Sequence, residues 1–245
     1  MANLRLLNPD FEWLYFDDAQ VEAFIDQEFP RYRRVFDSFP VPIQKYDFFR
    51  YLAVYRLGGF YLDLDVLLAR GLQDLLELGC VFPFEELSLQ PFLSREYGMD
   101  WEIGNYAFGA APGHPFLAAV IDNCVRARQD PAWSGSMLQP LPWLMRREFV
   151  VYDTTGPGLV SRTLAEYPRQ QPPVTVLFPE DVCDERQWHR FGDYGVHLQA
   201  GGWRTRGSFL RRKLGLLWEQ HRRAAVLREG RKRGKTRLPP LAAGA

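Results

Sequence analysis

Two aspartates separated by one residue, Asp63 and Asp65, are a candidate metal-binding pair. They follow the apolar run 60–62, and an apolar composition resumes at Val66, which predicts a short strand that ends at the two acids. Residues spaced i, i+2 on a strand project from the same side of the pleat. Carboxylates are ligands that Mg²⁺ and Mn²⁺ prefer, and such an ion can carry a diphosphate. The alternative is that both aspartates cap the turn after the strand.

A helix that starts near Pro42 and stops at Gly58 or Gly59 is predicted to position this strand. Asp47 and Arg50 are three residues apart and therefore share one face of that helix. They either form a surface ion pair or lie over the aspartates. In the second arrangement the aspartate accepts hydrogen bonds from sugar hydroxyls, and the planar guanidinium donates to sugar or phosphate.

From Asp47 to Asp65 the chain has the pattern D-x-x-R-Y, followed after a gap of six residues by G-G-x-Y-x-D-x-D. It resembles the signature of the DXD-containing sugar transferases of glycosyltransferase family 32. This resemblance implies a GT-A fold, a Rossmann-like α/β architecture with a mixed, mainly parallel sheet flanked by helices. It also implies a nucleotide-sugar donor held through Mn²⁺ or Mg²⁺. By this match Asp63 contacts the ribose or donor sugar, Asp65 binds the metal, and Asp47, Arg50 and Tyr51 belong to the donor-sugar site.

Two internal segments also resemble the family. Asn105, within the segment 104–117, matches a polar residue that a strand presents to the donor sugar. Gly156 belongs to a Thr-Gly-Pro element that lies beside the active site in the family and precedes a helix, whose first N–H groups can bind an anion or a hydroxyl. Plain helix capping by Thr154 or Thr155 is the alternative for this element.

A last segment, 194–203, resembles the closing motif of the family, in which a His is followed six residues later by Trp. The match implies that His197 approaches the metal or diphosphate and that Trp203 covers the phosphates. Gln199 and Gly202 stand where the family pattern has Trp and Ser, so this match is less complete than the first.

Composition limits the remaining functions. With 245 residues, 47% of them hydrophobic, the chain can bury one substantial core. A formal charge of zero argues against nucleic acid as the main partner. No long apolar stretch or signal-peptide pattern is present, so we expect a cytoplasmic location, with contact to a membrane at most peripheral. Cys80, Cys124 and Cys183 are expected to be reduced core thiols.

We expect a catalytic domain over residues 1–207 and a basic helix with a disordered tail over 208–245. The tail helix interleaves apolar and cationic residues, a pattern that suits contact with an anionic membrane. The resemblance covers about residues 8–203 and lacks the first strand of the family, since only seven residues precede Asn8.

Other segments are predicted from local pattern. Residues 11–16 and 174–178 read as strands, and 130–142 reads as an ordered loop. His114 reads as a turn residue between glycine and proline. Four further residues are left with open readings. Glu85 and Glu86 are solvated loop acids, or they serve as a base or an acceptor-binding pair. Trp133 and Trp143 are packing residues or a sugar-stacking surface.

The function that fits these patterns is a metal-dependent glycosyltransferase. It moves a hexose from a UDP- or GDP-linked donor to a hydroxyl of a glycan or glycolipid, with retention implied by the resemblance. One alternative is a non-catalytic descendant that binds sugars or partners. Another is a phosphohydrolase of the haloacid dehalogenase kind, which needs a later Lys followed by an acidic pair. No Lys lies between Lys45 and Lys213 and no acidic pair follows Lys213, so this reading is disfavoured.

Overall fold

The computed structural model describes residues 2–88, 91–141, 143–199 and 209–232. Short 3₁₀ turns lie at Pro30–Tyr32, Gln73–Leu78 and Glu185–Gln187. The α-helices of the described residues are α1 (Ala2–Leu7), α2 (Asp18–Glu28), α3 (Arg33–Ser38), α4 (Pro42–Leu57), α5 (Pro91–Tyr97), α6 (Pro115–Gln129), α7 (Pro131–Leu138), α8 (Trp143–Thr154), α9 (Pro157–Glu166) and α10 (Phe209–Lys232).

The strands form two small sheets that meet near the predicted metal site. The larger sheet has the order β1-β5-β3-β4, with β6 also paired to β3, and the smaller has the order β2-β8-β7. The strands are β1 (Gly59–Leu62), β2 (Val66–Leu68), β3 (Cys80–Leu87), β4 (Trp101–Ile103), β5 (Ala107–Ala110), β6 (Thr175–Leu177), β7 (Arg190–Phe191) and β8 (Gly195–His197).

The predicted α/β class, with a mixed sheet flanked by helices, is confirmed, but the expectation of a mainly parallel sheet is wrong for the described residues. Strand β3 runs parallel to β6, while β1–β5, β5–β3 and β3–β4 are antiparallel. Strands β4 and β5 lie three residues apart in the chain and both pair with β3, so the two run in the same direction and antiparallel to β3.

Several local predictions are confirmed. Helix α4 ends at Gly58, whose φ of 73° is a left-handed conformation that favours glycine. A Cβ there would lie 2.7 Å from Pro112, so close packing also requires glycine. Strand β6 lies in the predicted segment 174–178, and His114 caps α6 by accepting a hydrogen bond from the Phe116 N–H. The three cysteines are buried.

Three local predictions are wrong. The segment 11–16 has no ladder partner in the described structure, and Phe11, Trp13 and Phe16 pack individually against the cores. The segment 130–142 contains helix α7, because Asp130 caps the N–H groups of Ala132 and Trp133. The solvated-loop reading of Glu85 and Glu86 is also wrong, since both lie in β3 with exposed fractions of 8% and 9%.

One large apolar core lies between the larger sheet and helices α4, α6 and α9, and a smaller one lies beneath the smaller sheet. Within the described residues, no helix is both long and apolar enough to span a bilayer. The division at residue 207 stays a prediction. Helix α10 begins just after it and contacts β3 through an ion pair between Arg223 and Glu86, 3.2 Å apart.

Candidate metal centre and its polar surroundings

Asp63, Asp65 and His197 come together where the two sheets meet. Each offers a ligand atom, and these atoms all lie within 4.8 Å of one another. Strand β1 ends one residue before Asp63, and the Asp63 N–H donates to the Tyr106 carbonyl at 2.7 Å. The register of β2 and β8 places His197 opposite Val66, so His197 lies beside Asp65. The fold therefore brings the two aspartates together with the histidine of the closing motif.

These three residues fit a divalent cation by their chemistry and their surroundings. The side chains are partly exposed, at 26% for Asp63, 23% for Asp65 and 17% for His197, so an ion can reach them from solvent. His197 Nε2 lies 3.3 Å from Asp65 Oδ1. Two carboxylates and one imidazole suit Mn²⁺, and the carboxylates alone suit Mg²⁺. We call these residues the metal centre.

Arg50 lies directly behind the metal centre, so the predicted placement of helix α4 over the aspartates is confirmed. Its Nη1 is 3.4 Å from Asp63 Oδ1 and donates to the Asn105 carbonyl at 3.0 Å. The guanidinium also stacks over the Tyr61 ring, with 4.6 Å between its central carbon and the ring centroid. The Tyr61 hydroxyl in turn donates to Asp63 Oδ1 at 2.6 Å. Asp63 is thereby held from two sides.

Asp47 and Arg50 form a buried ion pair, with 2.9 Å between Arg50 Nη2 and Asp47 Oδ1, so the surface-pair reading is wrong. Both residues are 4% exposed. Burial raises the pKa of Asp47 to about 6, while Arg50 and a hydrogen bond from the Thr155 hydroxyl lower it. The positive charge of Arg50 therefore offsets only part of the rise in pKa that burial causes.

Tyr51 and Asn105 complete the same network. The Asn105 amide donates to the Tyr51 hydroxyl at 2.8 Å, and that hydroxyl donates to the Thr155 carbonyl at 2.7 Å. Gly156 follows as the N-cap of α9 without a side-chain cap, so capping by Thr154 or Thr155 is not observed. Instead the Thr155 hydroxyl donates to Asp47 at 2.8 Å.

The tryptophans singled out in the sequence differ in their surroundings. Trp203 lies outside the described residues. Trp133 is buried beneath Arg162, whose guanidinium carbon is 3.8 Å from the ring centroid, which supports the packing reading. Trp143 is 71% exposed.

A second group of acids, which we call the buried glutamate cluster, joins Glu85 and Glu86 to Glu102, which sequence reasoning missed. His189 Nδ1 lies 3.1 Å from Glu85 Oε1, and Arg223 pairs with Glu86. Glu102 accepts hydrogen bonds from the hydroxyls of Ser88 and Tyr152.

Burial raises the pKa of Glu86 and that of Glu102 to about 7. Glu85 and Glu86 are adjacent in β3 and Glu102 lies in the three-residue strand β4, so no alternation of apolar and acidic residues reveals this enclosure from sequence.

A mixed, helix-flanked sheet whose strand ends carry a carboxylate–imidazole cluster fits the GT-A class of glycosyltransferases. Residues 1–81 match the family model described as a glycosyltransferase sugar-binding region containing a DXD motif. The segment that carries Asp63 and Asp65 therefore matches this family model, which supports the resemblance to glycosyltransferase family 32.

Curated relatives agree with this assignment. Inositol phosphoceramide mannosyltransferase 3 of Schizosaccharomyces pombe is 35% identical over 120 residues, covering 49% of this chain and 30% of that protein. Inositol phosphoceramide mannosyltransferase 2 of the same organism is 25% identical over 226 residues, covering 91% of this chain and 56% of the relative. A mannosyl phosphorylinositol ceramide synthase of Saccharomyces cerevisiae is 27% identical over 180 residues, covering 71% and 41%.

The chain thus spans between 30% and 56% of the length of these three relatives. No solved structure gives a significant match.

Proposed function

We propose that this chain carries a metal-dependent glycosyltransferase activity that moves a hexose from a nucleotide-diphosphate sugar to a hydroxyl of a glycan or glycolipid. The observation that carries the proposal is the convergence of Asp63, Asp65 and His197 within 4.8 Å at a solvent-accessible strand end. Mn²⁺ or Mg²⁺ bound there supplies positive charge against the diphosphate leaving group.

The residues around the metal centre have separate roles in this proposal. Asp65 and His197 hold the ion, and Asp63 faces the ribose or donor sugar. Arg50 fixes Asp63, and its positive charge lies behind the proposed site of the donor sugar and phosphate. Asp47 keeps the guanidinium oriented and accepts from the donor sugar.

Tyr51, Asn105 and Gly156 complete the proposed site. Tyr51 is fully buried, so we assign it to positioning Asn105 rather than to direct contact with a substrate. Asn105 is 8% exposed and is our candidate for a hydrogen bond to the donor sugar. Gly156 is the N-cap of α9, and the preceding Thr155 donates its hydroxyl to Asp47, so the start of α9 lies next to this network.

The names of the relatives put mannose first among donor sugars to test and an inositol phospholipid first among acceptors. GDP-mannose is the corresponding donor, and retention of anomeric configuration is the expectation from the family resemblance. A lipid acceptor lies at a membrane surface. The exposed cations Arg228, Arg231 and Lys232 on α10 suit a peripheral contact with anionic lipid.

Calorimetric titration of UDP and of GDP, each with and without Mn²⁺, tests this proposal. The wild type should bind one nucleotide only when Mn²⁺ is present, and Asp65→Ala should abolish that binding. Asp74→Ala is the matched control, because Asp74 is an exposed acid paired with Arg70. If the folded wild type binds neither nucleotide, a non-catalytic descendant becomes the better account.

A further inference from the structure

Tyr106 contacts both halves of the metal centre, although nothing in its sequence context marks it. Its ring stacks on the His197 imidazole, with ring centroids 4.4 Å apart and planes inclined by 17°. Its backbone carbonyl accepts the Asp63 N–H at 2.7 Å. One residue of the β4–β5 connection therefore contacts both Asp63, just after β1, and His197 of β8.

The orientation of His197 needs such a contact. Metal-binding histidines usually donate their second ring nitrogen to an oxygen, and this bond fixes the plane of the ring. Here Nε2 faces Asp65, while Nδ1 is buried and has no hydrogen-bond partner among the described residues. The face of Tyr106 is therefore the described contact that restrains rotation of the imidazole.

Tyr106 is itself rigidly held. It is 2% exposed and belongs to the smaller core, among Val66, Leu68 and Phe191. A Cβ on Gly104 would lie 2.5 Å from Tyr106 Cε1, so the glycine leaves the space that the ring occupies. A ring fixed this tightly transmits its position to whatever stacks on it.

The hydroxyl of Tyr106, unlike its ring, makes no described contact with the metal centre. Within the described part of the chain it has no hydrogen-bond partner, although it is buried. Removing the hydroxyl therefore breaks no described bond, whereas removing the ring takes away the support of His197. The positioning role of the ring can therefore be tested separately from any role of the hydroxyl.

We propose that Tyr106 is the positioning residue of the metal centre: its ring sets the plane of the His197 imidazole and its carbonyl sets the Asp63 backbone. The inference rests on the proposed metal-binding function. It predicts that ion affinity depends on an aromatic ring at position 106 and not on the tyrosine hydroxyl.

The first test uses the metal-free protein. Nuclear Overhauser contacts between the imidazole protons of His197, identified by their loss in His197→Ala, and residues other than residue 106 report the orientation of the ring without the ring current of Tyr106. These contacts should be unchanged in Tyr106→Phe and altered in Tyr106→Leu and Tyr106→Met. Tyr194→Leu is the matched control, because Tyr194 lies in the same small core with its ring against Arg70. Unchanged contacts of His197 in folded Tyr106→Leu or Tyr106→Met would overturn the inference without reference to any metal.

The second test is Mn²⁺ titration by calorimetry on the same full-length variants. Loss of the supporting ring should weaken binding about 10–100-fold in Tyr106→Leu and Tyr106→Met, as for other supports of metal ligands. Tyr106→Phe and Tyr194→Leu should bind as the wild type does. A loss of affinity in Tyr106→Phe equal to that in Tyr106→Leu would assign the role to the hydroxyl and contradict the proposal.

A double-mutant cycle separates positioning from general destabilisation. In a His197→Ala background, Tyr106→Leu should cause a smaller further loss of Mn²⁺ affinity than in the wild type, because the ring has no imidazole left to orient. An undiminished further loss would mean that Tyr106 acts elsewhere. Failure of the folded wild type to bind Mn²⁺ would contradict the proposed function, whereas wild-type binding that Tyr106→Leu leaves intact would overturn this inference alone.

Discussion

Two clusters of acidic residues in this protein each lie beside an imidazole, but they differ in their exposure to solvent. In the metal centre, Asp63 and Asp65 are about one-quarter exposed. In the buried glutamate cluster, Glu102 is 1% exposed and accepts from two hydroxyl groups, and burial raises its pKa to about 7.

The difference indicates that enclosure, rather than the number of acids, separates a structural cluster from a binding site. An enclosed carboxyl can lose its charge by taking up a proton, and neighbouring hydroxyls then satisfy it. An acid that remains open to water keeps its charge and can exchange solvent for an ion. The following predictions test that contrast, beginning with the largest expected effect.

Replacing Asp65 should have the largest effect on binding. We expect Asp65→Asn to abolish Mn²⁺ binding, because it removes a charged ligand from the metal centre. The corresponding change in the other cluster, Glu102→Gln, should leave Mn²⁺ affinity unchanged. Calorimetric titration of both folded variants measures this, and loss of Mn²⁺ binding in Glu102→Gln would remove the distinction between the clusters.

Removing the cation behind the metal centre should have the largest effect on stability. In Arg50→Met, Asp47 stays buried without its partner, which should lower the free energy of unfolding by about 3–5 kcal/mol. Urea unfolding followed by circular dichroism measures this change. A loss below about 1 kcal/mol, the range of exposed ion pairs, would mean that water reaches Asp47 more freely than its 4% exposure indicates.

The buried glutamate cluster should make stability depend on pH. The pKa of Glu102 is raised from 4.5 to about 7 in the fold, so its stabilising protonated form is complete below 4.5 and is lost as the pH rises through 7. Glu102→Gln should therefore exceed the wild type in stability by on the order of 1–3 kcal/mol at pH 8, and by much less at pH 4.5.

Denaturant unfolding at the two pH values measures this effect. Glu86, whose pKa burial also raises, remains in both proteins, as do the neighbouring Glu85 and His189, so the comparison isolates Glu102. An equal difference in stability at both pH values would show that packing, rather than ionisation, separates the variant from the wild type.

An acid that belongs to neither cluster should have the smallest effect. Asp74 is exposed and pairs with Arg70 four residues earlier, an arrangement worth about 0.3–0.5 kcal/mol. Asp74→Ala should therefore change the unfolding free energy by about this amount and leave Mn²⁺ binding intact. A larger effect on Mn²⁺ binding would extend the metal centre beyond its three residues.

The sequence was sufficient to predict the parts of the site that lie close together along the chain. The strand and the two aspartates after it, the helix that ends at Gly58 and the shared face of Asp47 and Arg50 all follow from local spacing. The approach of His197 was available only through resemblance to a family, because the contact joins residues 132 positions apart.

The direction of the strands and the burial of the glutamates could not be predicted from local spacing. The antiparallel order of the larger sheet depends on which strands pair, and short apolar runs do not reveal this. Glu85 looks like a loop acid in sequence and is buried because α10 and His189 cover β3. Tyr106 was missed for a similar reason, since its contact with His197 depends on the meeting of two sheets.

The central claim is that a divalent cation binds among Asp63, Asp65 and His197. A crystal of the full chain soaked in Mn²⁺, with an anomalous difference map calculated at the manganese edge, tests it most directly. The account predicts one strong peak within bonding distance of the Asp65 carboxylate and His197 Nε2. A map with its strongest peak at Glu85, Glu86 or Glu102, or with no peak at the metal centre, would contradict it.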